Sequence, residues 1–156
     1  MGTILMIVYN QIQYDARVIR AAEALADTGL EIKVISCNSD LQYENGKFES
    51  IVFTSRMKHQ WVLVYFWWQC LKYVLKHKRD ISLLYVHDYY MPLIGGLYYI
   101  LTKRKWVYDA HELIFYHAKD KVSCRNKFFL CLEKLFIKSA SLVVAANEER
   151  RKLMSY

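Results

Sequence analysis

The sequence is poor in residues that interrupt regular structure, with one proline and five glycines among 156 residues. That scarcity argues against a disordered or linker-rich chain, which is usually enriched in both. The four cysteines form no Cys-x-x-Cys pair, so neither a zinc ribbon nor a disulfide scaffold is indicated and a reduced cytoplasmic compartment is favoured. No basic segment precedes the first apolar run, so we expect no signal peptide.

The absence of certain motifs excludes some classes of function. Glycine is missing from Asn10–Asp15, the segment after the first apolar run, where a dinucleotide-binding domain would carry Gly-x-Gly-x-x-Gly. The apolar run that begins at Trp61 stops before Gln69, far short of the roughly 20 residues that span a bilayer. The net charge of +7 suits an anionic partner. No nucleic-acid-binding motif accompanies that charge, so we expect no nucleic acid among the partners.

What the sequence does contain is an alternation of apolar runs and helix-length segments. Strands are predicted at Thr3–Tyr9, Glu31–Ser36, Ile51–Thr54, Leu83–Val86, Lys105–Tyr108 and Leu142–Ala146. Helices are predicted after Asp15, at Trp61–Lys78, at Pro92–Leu101, at Ser123–Lys138 and from Asn147. The pattern predicts one α/β domain over residues 1–156, a doubly wound, mostly parallel sheet with helices on both faces.

The spacing of apolar residues predicts which helix faces are buried. In the first helix, which Asp15 caps and Gly29 ends, these residues are Val18, Ala21, Ala22 and Leu25. In the segment 123–138 they are Phe128, Leu132, Leu135 and Phe136. The tryptophans of Trp61–Lys78 are expected mainly to fill the core against the sheet. The basic residues that follow them leave open a second interpretation, docking on anionic lipid.

Two of the predicted strands end in the same way, with an imidazole beside a carboxylate. Leu83–Val86 runs into His87 and Asp88, and Lys105–Tyr108 runs into Asp109-Ala-His-Glu112. The helix predicted between them makes a βαβ unit, so the two strands are parallel and end at the same edge of the sheet. Open α/β sheets bind ligands at that edge. Both pairs are therefore candidate functional residues.

Four segments resemble the N-terminal, acceptor-side domain of GT-B glycosyltransferases, most of all family 4 of the retaining enzymes. They are Asp15-Ala-Arg-Val-Ile-Arg20 with the turn and strand that follow it, Val86-His-Asp-Tyr-Tyr90, Val107-Tyr-Asp-Ala-His-Glu112, and Ala140-Ser-Leu-Val-Val-Ala-Ala-Asn-Glu-Glu149. The chain departs from the family in Asn10–Tyr14, where many relatives have a Gly-Gly pair, and at Tyr90, where some have histidine.

The resemblance implies a Rossmann-like fold and a transfer reaction. The sugar would pass from a nucleotide-sugar donor, with retention of configuration, to a saccharide, a lipid-linked or a small-molecule acceptor. The family's second Rossmann domain, which holds the donor nucleotide, is missing from residues 1–156. The chain is therefore expected to be the N-terminal half of a two-domain enzyme and inactive alone.

The resemblance also implies roles for the strand-end residues. His111 would be catalytic, contacting the transferred sugar or the transition state; the alternative is a histidine that caps loop backbone. Asp88, Glu112 and His87 would lie on the acceptor side. For each of these an alternative stays open: Asp88 can cap the helix near Pro92, Glu112 can be solvated, and His87 is more easily a structural residue.

Tyr14 and Arg17 are expected on the donor-phosphate side, near the start of the first helix, although Arg17 can equally be an ordinary surface residue. We expect no metal and no cofactor, since the nucleotide sugar is a substrate. His111 and His117 are six residues apart and follow a strand, whereas a zincin carries its histidines at i and i+4 on a helix.

A non-catalytic Rossmann-like binding module, with a basic face that associates with a membrane surface, is the alternative function. Both readings place the protein in the cytoplasm, with peripheral association at the inner face of an anionic membrane as an open possibility. Continuation of the gene into a second Rossmann domain with a Glu-x7-Glu motif would favour the enzyme.

Overall fold

The computed structural model describes residues 2–38, 46–57, 59–110 and 124–146. Its strands are β1 (Thr3–Ile7), β2 (Ile32–Cys37), β3 (Glu49–Phe53), β4 (Ile81–His87), β5 (Trp106–Ala110) and β6 (Leu142–Ala145). Its α-helices are α1 (Ala16–Ala26), α2 (His59–Lys76), α3 (Pro92–Thr102) and α4 (Cys124–Ile137). The helix predicted from Asn147 lies outside the described residues.

The six strands form one sheet in the order β3-β2-β1-β4-β5-β6, and each described pairing is parallel. β1 lies inside this sheet and is buried along its whole length, as its continuous apolar run predicts. One face of the sheet packs against α1, and the other packs against α2, α3 and α4. The predicted doubly wound α/β fold with helices on both faces is confirmed.

Helix α1 follows the sequence prediction closely. Asp15 accepts a hydrogen bond from the backbone of Val18 as the N-cap residue. Val18 and Ala22 are fully buried and their predicted companions pack beside them. Gly29 adopts a φ of +82°, which favours glycine because it has no Cβ. The turn therefore falls where the sequence indicates.

Helix α2 corrects the prediction for its tryptophans. It packs on the sheet through Val62, Phe66, Cys70 and Val74, which are buried. Trp67 is half-buried, and its indole donates a hydrogen bond to the Tyr90 carbonyl oxygen over 2.9 Å. Trp61 and Trp68, in contrast, are 53% and 60% exposed, so the core-filling interpretation is wrong for them. None of the helices in the described ranges combines the length and apolarity that crossing a bilayer requires.

Helix α4 confirms the predicted face only in part, since Phe136 packs against the core but two of its predicted companions do not. Phe129, Glu133 and Ile137 are buried, whereas Phe128 and Leu135 are exposed. The buried Glu133 carboxyl accepts a 2.5 Å hydrogen bond from the Tyr108 hydroxyl of β5. Burial raises the pKa of Glu133, and the Tyr108 hydroxyl and the nearby Lys134 partly oppose that effect. The buried side of α4 therefore includes a polar contact, which apolar spacing alone does not predict.

Helix α3 lies close to its neighbours because of two glycines. A Cβ at Gly95 would collide with the Trp106 ring, and a Cβ at Gly96 would collide with the Phe136 ring. Pro92 occupies the first turn, where its missing N–H leaves no hydrogen bond unmade. α3 can thus fill the narrow space between β5 and α4.

Candidate functional site

The strand order places a topological switch point at the carboxyl ends of β1 and β4. These strands are neighbours, but the chain leaves β1 toward β2 on one side and leaves β4 toward β5 on the other. Ligands of open α/β sheets bind in the crevice that such a divergence creates. The loops at this edge are residues 8–15 after β1 and 88–91 after β4. They contain the predicted site residues Tyr14 and Asp88, and Arg17 and His87 lie within two residues of these loops.

The loop after β1 is tied to the loop after β2. The carbonyl oxygen of Asn10 accepts a hydrogen bond from the Cys37 amide, and the Gln11 side chain donates to the Asn38 carbonyl oxygen over 3.0 Å. Ile12 to Tyr14 form a 3-10 turn in the segment predicted as a loop, and Ile12 is buried beneath it. Tyr14 projects from this turn with 78% of its surface exposed, so its ring is available to a ligand.

Arg17 is held beside the start of α1 by Asp15. Its Nε lies 3.3 Å from Asp15 Oδ1, and its Nη2 donates to Oδ2 over 3.4 Å. Burial opposes ionisation of Asp15, yet Arg17, the Val18 amide and Asn10 outweigh it and hold the pKa of Asp15 below its usual value. Arg17 stays 44% exposed. An oriented, partly exposed guanidinium therefore lies at a helix N-terminus, the end of a helix that favours anions.

We expect Asp15→Ala to lower the free energy of unfolding by about 1 to 2 kcal/mol at neutral pH, because it removes both an N-cap and the partner of Arg17. Since the pKa of Asp15 is lowered on folding, its ionised form stabilises the fold above the ordinary pKa of about 4. That contribution to stability is lost as the pH falls through the lower pKa that Asp15 has in the folded protein. Urea unfolding from pH 7 to pH 3 should show the two proteins converging; a constant difference would contradict the assignment.

At the other side of the switch point, two buried polar side chains and a half-buried tyrosine form a group on β4 and β5. His87 and Asp109 are register partners, and His87 Nδ1 lies 3.3 Å from Asp109 Oδ2. The Tyr85 hydroxyl donates to the same oxygen over 3.1 Å, and the Tyr85 ring stacks on the His87 imidazole. Burial and the neighbouring Asp109 raise the pKa of Tyr85, so this hydroxyl remains a donor. We name Tyr85, His87 and Asp109 the strand-end triad.

The strand-end triad agrees with the structural interpretation of His87. The residue is 1% exposed and Asp109 is 4% exposed, so both lie beneath the surface of the edge. Asp109 and Ala110 end β5 immediately before His111. His111 and Glu112 themselves lie outside the described residues, as does His117. The triad therefore links β4 to β5, the strand that ends directly before the predicted catalytic residue His111.

Asp88 occupies a constrained position at the end of β4. Its φ of +65° is in the left-handed region, which costs a residue with a Cβ free energy. Its amide donates to the Asp109 carbonyl oxygen, and its own carbonyl oxygen accepts from the Met91 amide. The N-cap of α3 is Met91, with no side-chain capping hydrogen bond, so the helix-cap alternative for Asp88 gains no support.

An aromatic group that the sequence analysis missed joins the two loops. The ring of Tyr9 lies 5.4 Å from that of Tyr90, and Tyr90 lies 4.9 Å from Phe129 of α4. Tyr89 packs against Tyr90, and their hydroxyls are hydrogen-bonded. Burial, with Cys37 and Tyr90 nearby, raises the pKa of Tyr9 to about 12. The high aromatic content was the available signal, but it does not indicate which rings meet.

The described residues contain a cavity of about 520 Å³ at the opposite, amino edge of the sheet. Its lining includes Lys33, which lies 2.8 Å from Glu49, and His77, which lies 3.9 Å from Asp80. Lys33 and Glu49 already pair with each other, and the cavity lies at the edge of the sheet opposite the strand-end triad. Within the described ranges, no group of three histidine, cysteine or acidic residues is arranged to hold a metal ion.

Comparison with known proteins gives a consistent result. The family model described as Glycosyltransferase Family 4 matches residues 16–155. Sucrose-phosphate synthase from Thermosynechococcus elongatus superposes with a TM-score of 0.80 at 14% identity, over 99% of this chain and 44% of that one. HepE from Anabaena, in complex with UDP and glucose, superposes with a TM-score of 0.63 at 17% identity, over 99% of this chain and 40% of HepE.

These structural likenesses, at such low identity, show the fold. The chain spans less than half the length of either protein. A separate structure of part of the same synthase, of which this chain covers 81%, superposes with a TM-score of 0.70. No curated protein sequence matched the chain.

Proposed function

The chain belongs to glycosyltransferase family 4, and from that premise we propose that it is the acceptor-side domain of a retaining glycosyltransferase. The enzyme would move a sugar from a nucleotide-sugar donor to a saccharide, a lipid-linked or a small-molecule acceptor. The observation that carries the proposal is the family match over residues 16–155. It is supported by a fold whose switch point is bordered by Tyr14, Arg17, His87 and Asp88. The donor is a substrate, so the proposal includes no cofactor and no metal.

The chemistry divides between the two sides of the switch point. Retaining transfer develops positive charge on the sugar ring and negative charge on the leaving phosphate. On the β5 side, His111 would contact the reacting sugar, and preorganised polar groups aimed at developing charge stabilise a transition state strongly. On the β1 side, Arg17 uses two of its N–H groups on Asp15 and keeps others for a phosphate. Tyr14 would help to position that phosphate.

The acceptor would lie against the residues after β4. Asp88, which is 8% exposed and thus more accessible than His87, is held by two backbone hydrogen bonds and would accept a hydrogen bond from an acceptor hydroxyl. Glu112 would contribute a second carboxylate in this proposal. His87 is buried, so we assign it to positioning β4 and β5 rather than to direct acceptor contact.

A two-domain architecture is part of this proposal. Both HepE and the sucrose-phosphate synthase are more than twice as long as the part that this chain matches. A donor must be held against the acceptor in a reactive geometry, and such positioning contributes a large part of rate enhancement. We propose that a second Rossmann domain supplies the donor-nucleotide site.

We therefore expect the isolated 156-residue chain to transfer no sugar. The purified chain would be incubated with a panel of nucleotide sugars and acceptors, and products would be followed by mass spectrometry. A longer protein that includes the proposed second domain is the positive control. Transfer by the 156-residue chain alone would show that the donor site does not depend on a second domain.

A non-catalytic binding module with the same fold is the alternative. Proteins that share a fold can differ in function, so the two proposals have to be distinguished by what the site binds and does. The two proposals differ in what the whole protein does with a donor: the enzyme consumes it, while the module at most binds it. Nucleotide release that depends on acceptor separates them. In either case we propose a cytoplasmic protein.

A further inference from the structure

Helix α2 presents large apolar side chains to solvent on the side away from the sheet. Trp61, Val64, Trp68 and Leu75 are 53%, 48%, 60% and 36% exposed. Their spacings of three, four and seven residues place them on one side of the helix. We call these four residues the α2 outer face. A surface helix normally turns charged residues outward, so a contiguous apolar strip marks an interaction surface.

The inner side of the same helix is already occupied. Val62, Phe66, Cys70 and Val74 are at most 5% exposed and pack on the sheet. Trp67 points to the side, where its ring lies 6.1 Å from that of Phe129. The outer face is thus not a second contact with this domain's core. It extends for about 21 Å from Trp61 to Leu75, at 1.5 Å per residue.

The charged residues in the segment that contains this face are all basic. Residues 50–79 contain no aspartate or glutamate and six lysines or arginines. Lys72 and Lys76 are exposed on α2 itself, and Lys78 and Arg79 are exposed directly after it. Arg104 is held beside them, because its guanidinium donates to the carbonyl oxygens of Ile81 and Arg79. A strip of tryptophan and aliphatic side chains therefore lies next to a basic cluster.

We propose that the α2 outer face docks on the surface of an anionic lipid bilayer. Tryptophan concentrates at the membrane–water interface, where its ring enters the headgroup layer. Each lysine or arginine near an anionic surface adds further attraction, and its aliphatic stem lies along the apolar strip. A helix with one apolar and basic side binds in the plane of the interface. This inference goes beyond sugar transfer and does not depend on it.

A second copy of the chain fits the same face less well. A two-fold contact through the α2 outer face would bring two copies of the basic segment 50–79 together, and this segment contains no acidic residue to neutralise them. Like charges brought together in an apolar contact are destabilising. An anionic lipid headgroup supplies the opposite charge that the face lacks.

Vesicle flotation with the purified chain tests the proposal. Vesicles of phosphatidylglycerol with phosphatidylcholine should carry the protein, and pure phosphatidylcholine vesicles should carry much less. Raising the salt concentration should weaken binding, because salt screens charges near a surface. Binding should also shift tryptophan emission to shorter wavelength as Trp61 and Trp68 leave water.

Two double variants and one matched control make the test specific. Trp61→Ser with Trp68→Ser, and Lys72→Glu with Lys76→Glu, should each weaken binding by about tenfold or more. Arg20→Glu with Lys47→Glu changes the charge by the same amount at exposed positions away from α2 and should bind like the wild type. Circular dichroism would confirm that each variant is folded.

Three outcomes would overturn the proposal. One is absence of flotation with anionic vesicles, and another is equal binding to neutral and anionic vesicles. The third is a dimer, seen in sedimentation, that the double tryptophan variant abolishes without changing vesicle binding. That result would assign the α2 outer face to contact with a second copy of the chain. None of these outcomes bears on transferase activity, so failure here leaves the proposed function to be decided separately.

Discussion

Replacing His111 with alanine in the proposed two-domain enzyme is expected to lower turnover by about 100- to 1000-fold, with donor affinity near the wild-type value. The imidazole is proposed to act where charge develops, and not on the resting nucleotide. An interaction made mainly in the transition state affects kcat and kcat/KM together. Steady-state kinetics with donor and acceptor varied separately would measure both effects.

His87→Ala is the matched comparison, because His87 ends the neighbouring strand but is buried beneath the edge. We expect it to reduce stability and to lower turnover much less than His111→Ala does. Both variants should be assayed at a temperature where circular dichroism shows them folded. Near-normal turnover of His111→Ala, together with loss of turnover in folded His87→Ala, would reverse the assignment of the two strand ends.

Replacing Asp109 with alanine is expected to lower the free energy of unfolding by about 3 kcal/mol. The change removes the carboxylate that His87 and Tyr85 share in a buried position. Removing one member of a buried polar group is costly because the remaining polar atoms stay buried away from water and have lost their interaction partner. Urea unfolding of the chain, followed by circular dichroism, would measure the loss.

Two further variants separate this group from ordinary charge removal. Tyr85→Phe removes one hydrogen bond and should cost about 1 kcal/mol. Asp80→Ala removes an exposed carboxylate 3.9 Å from His77 and should change stability by less than about 0.5 kcal/mol. Equal stability of Asp109→Ala and Asp80→Ala would show that the strand-end triad does not support the edge.

The sheet and its working edge were predictable because they depend on local patterns. β1 is a continuous apolar run, and the βαβ unit around Pro92 requires parallel strands. The capping of α1 by Asp15 and the turn at Gly29 are equally local, since each involves residues only a few positions apart. Such features follow from the sequence without knowledge of the remaining fold.

The strand-end triad and the aromatic group were not predictable because they depend on register. His87 meets Asp109 only because β4 and β5 pair with that particular alignment. Tyr9 meets Tyr90 only because β1 and β4 are neighbours in a sheet that the chain visits out of order. Aromatic content indicates that such contacts exist, but it does not identify the partners.

The outer surfaces of the helices were mispredicted for a different reason. α2 is apolar on both sides, so its spacing did not distinguish the inner Phe66 from the outer Trp68. In α4 the buried side includes a polar contact between the Glu133 carboxyl and Tyr108, while Phe128 is exposed. A prediction from apolar periodicity assumes that the more hydrophobic side of a helix faces the core. That assumption is not sufficient for α2 or for α4.

The central claim is that this domain forms one side of the active site of a retaining sugar transferase. Its most direct test is the anomeric configuration of the product that the complete enzyme makes from a nucleotide sugar and an acceptor, determined by NMR. We predict a transferred sugar that keeps the configuration it has in the donor. A product of inverted configuration, or nucleotide-sugar binding without any transfer across the donor and acceptor panel, would contradict the claim.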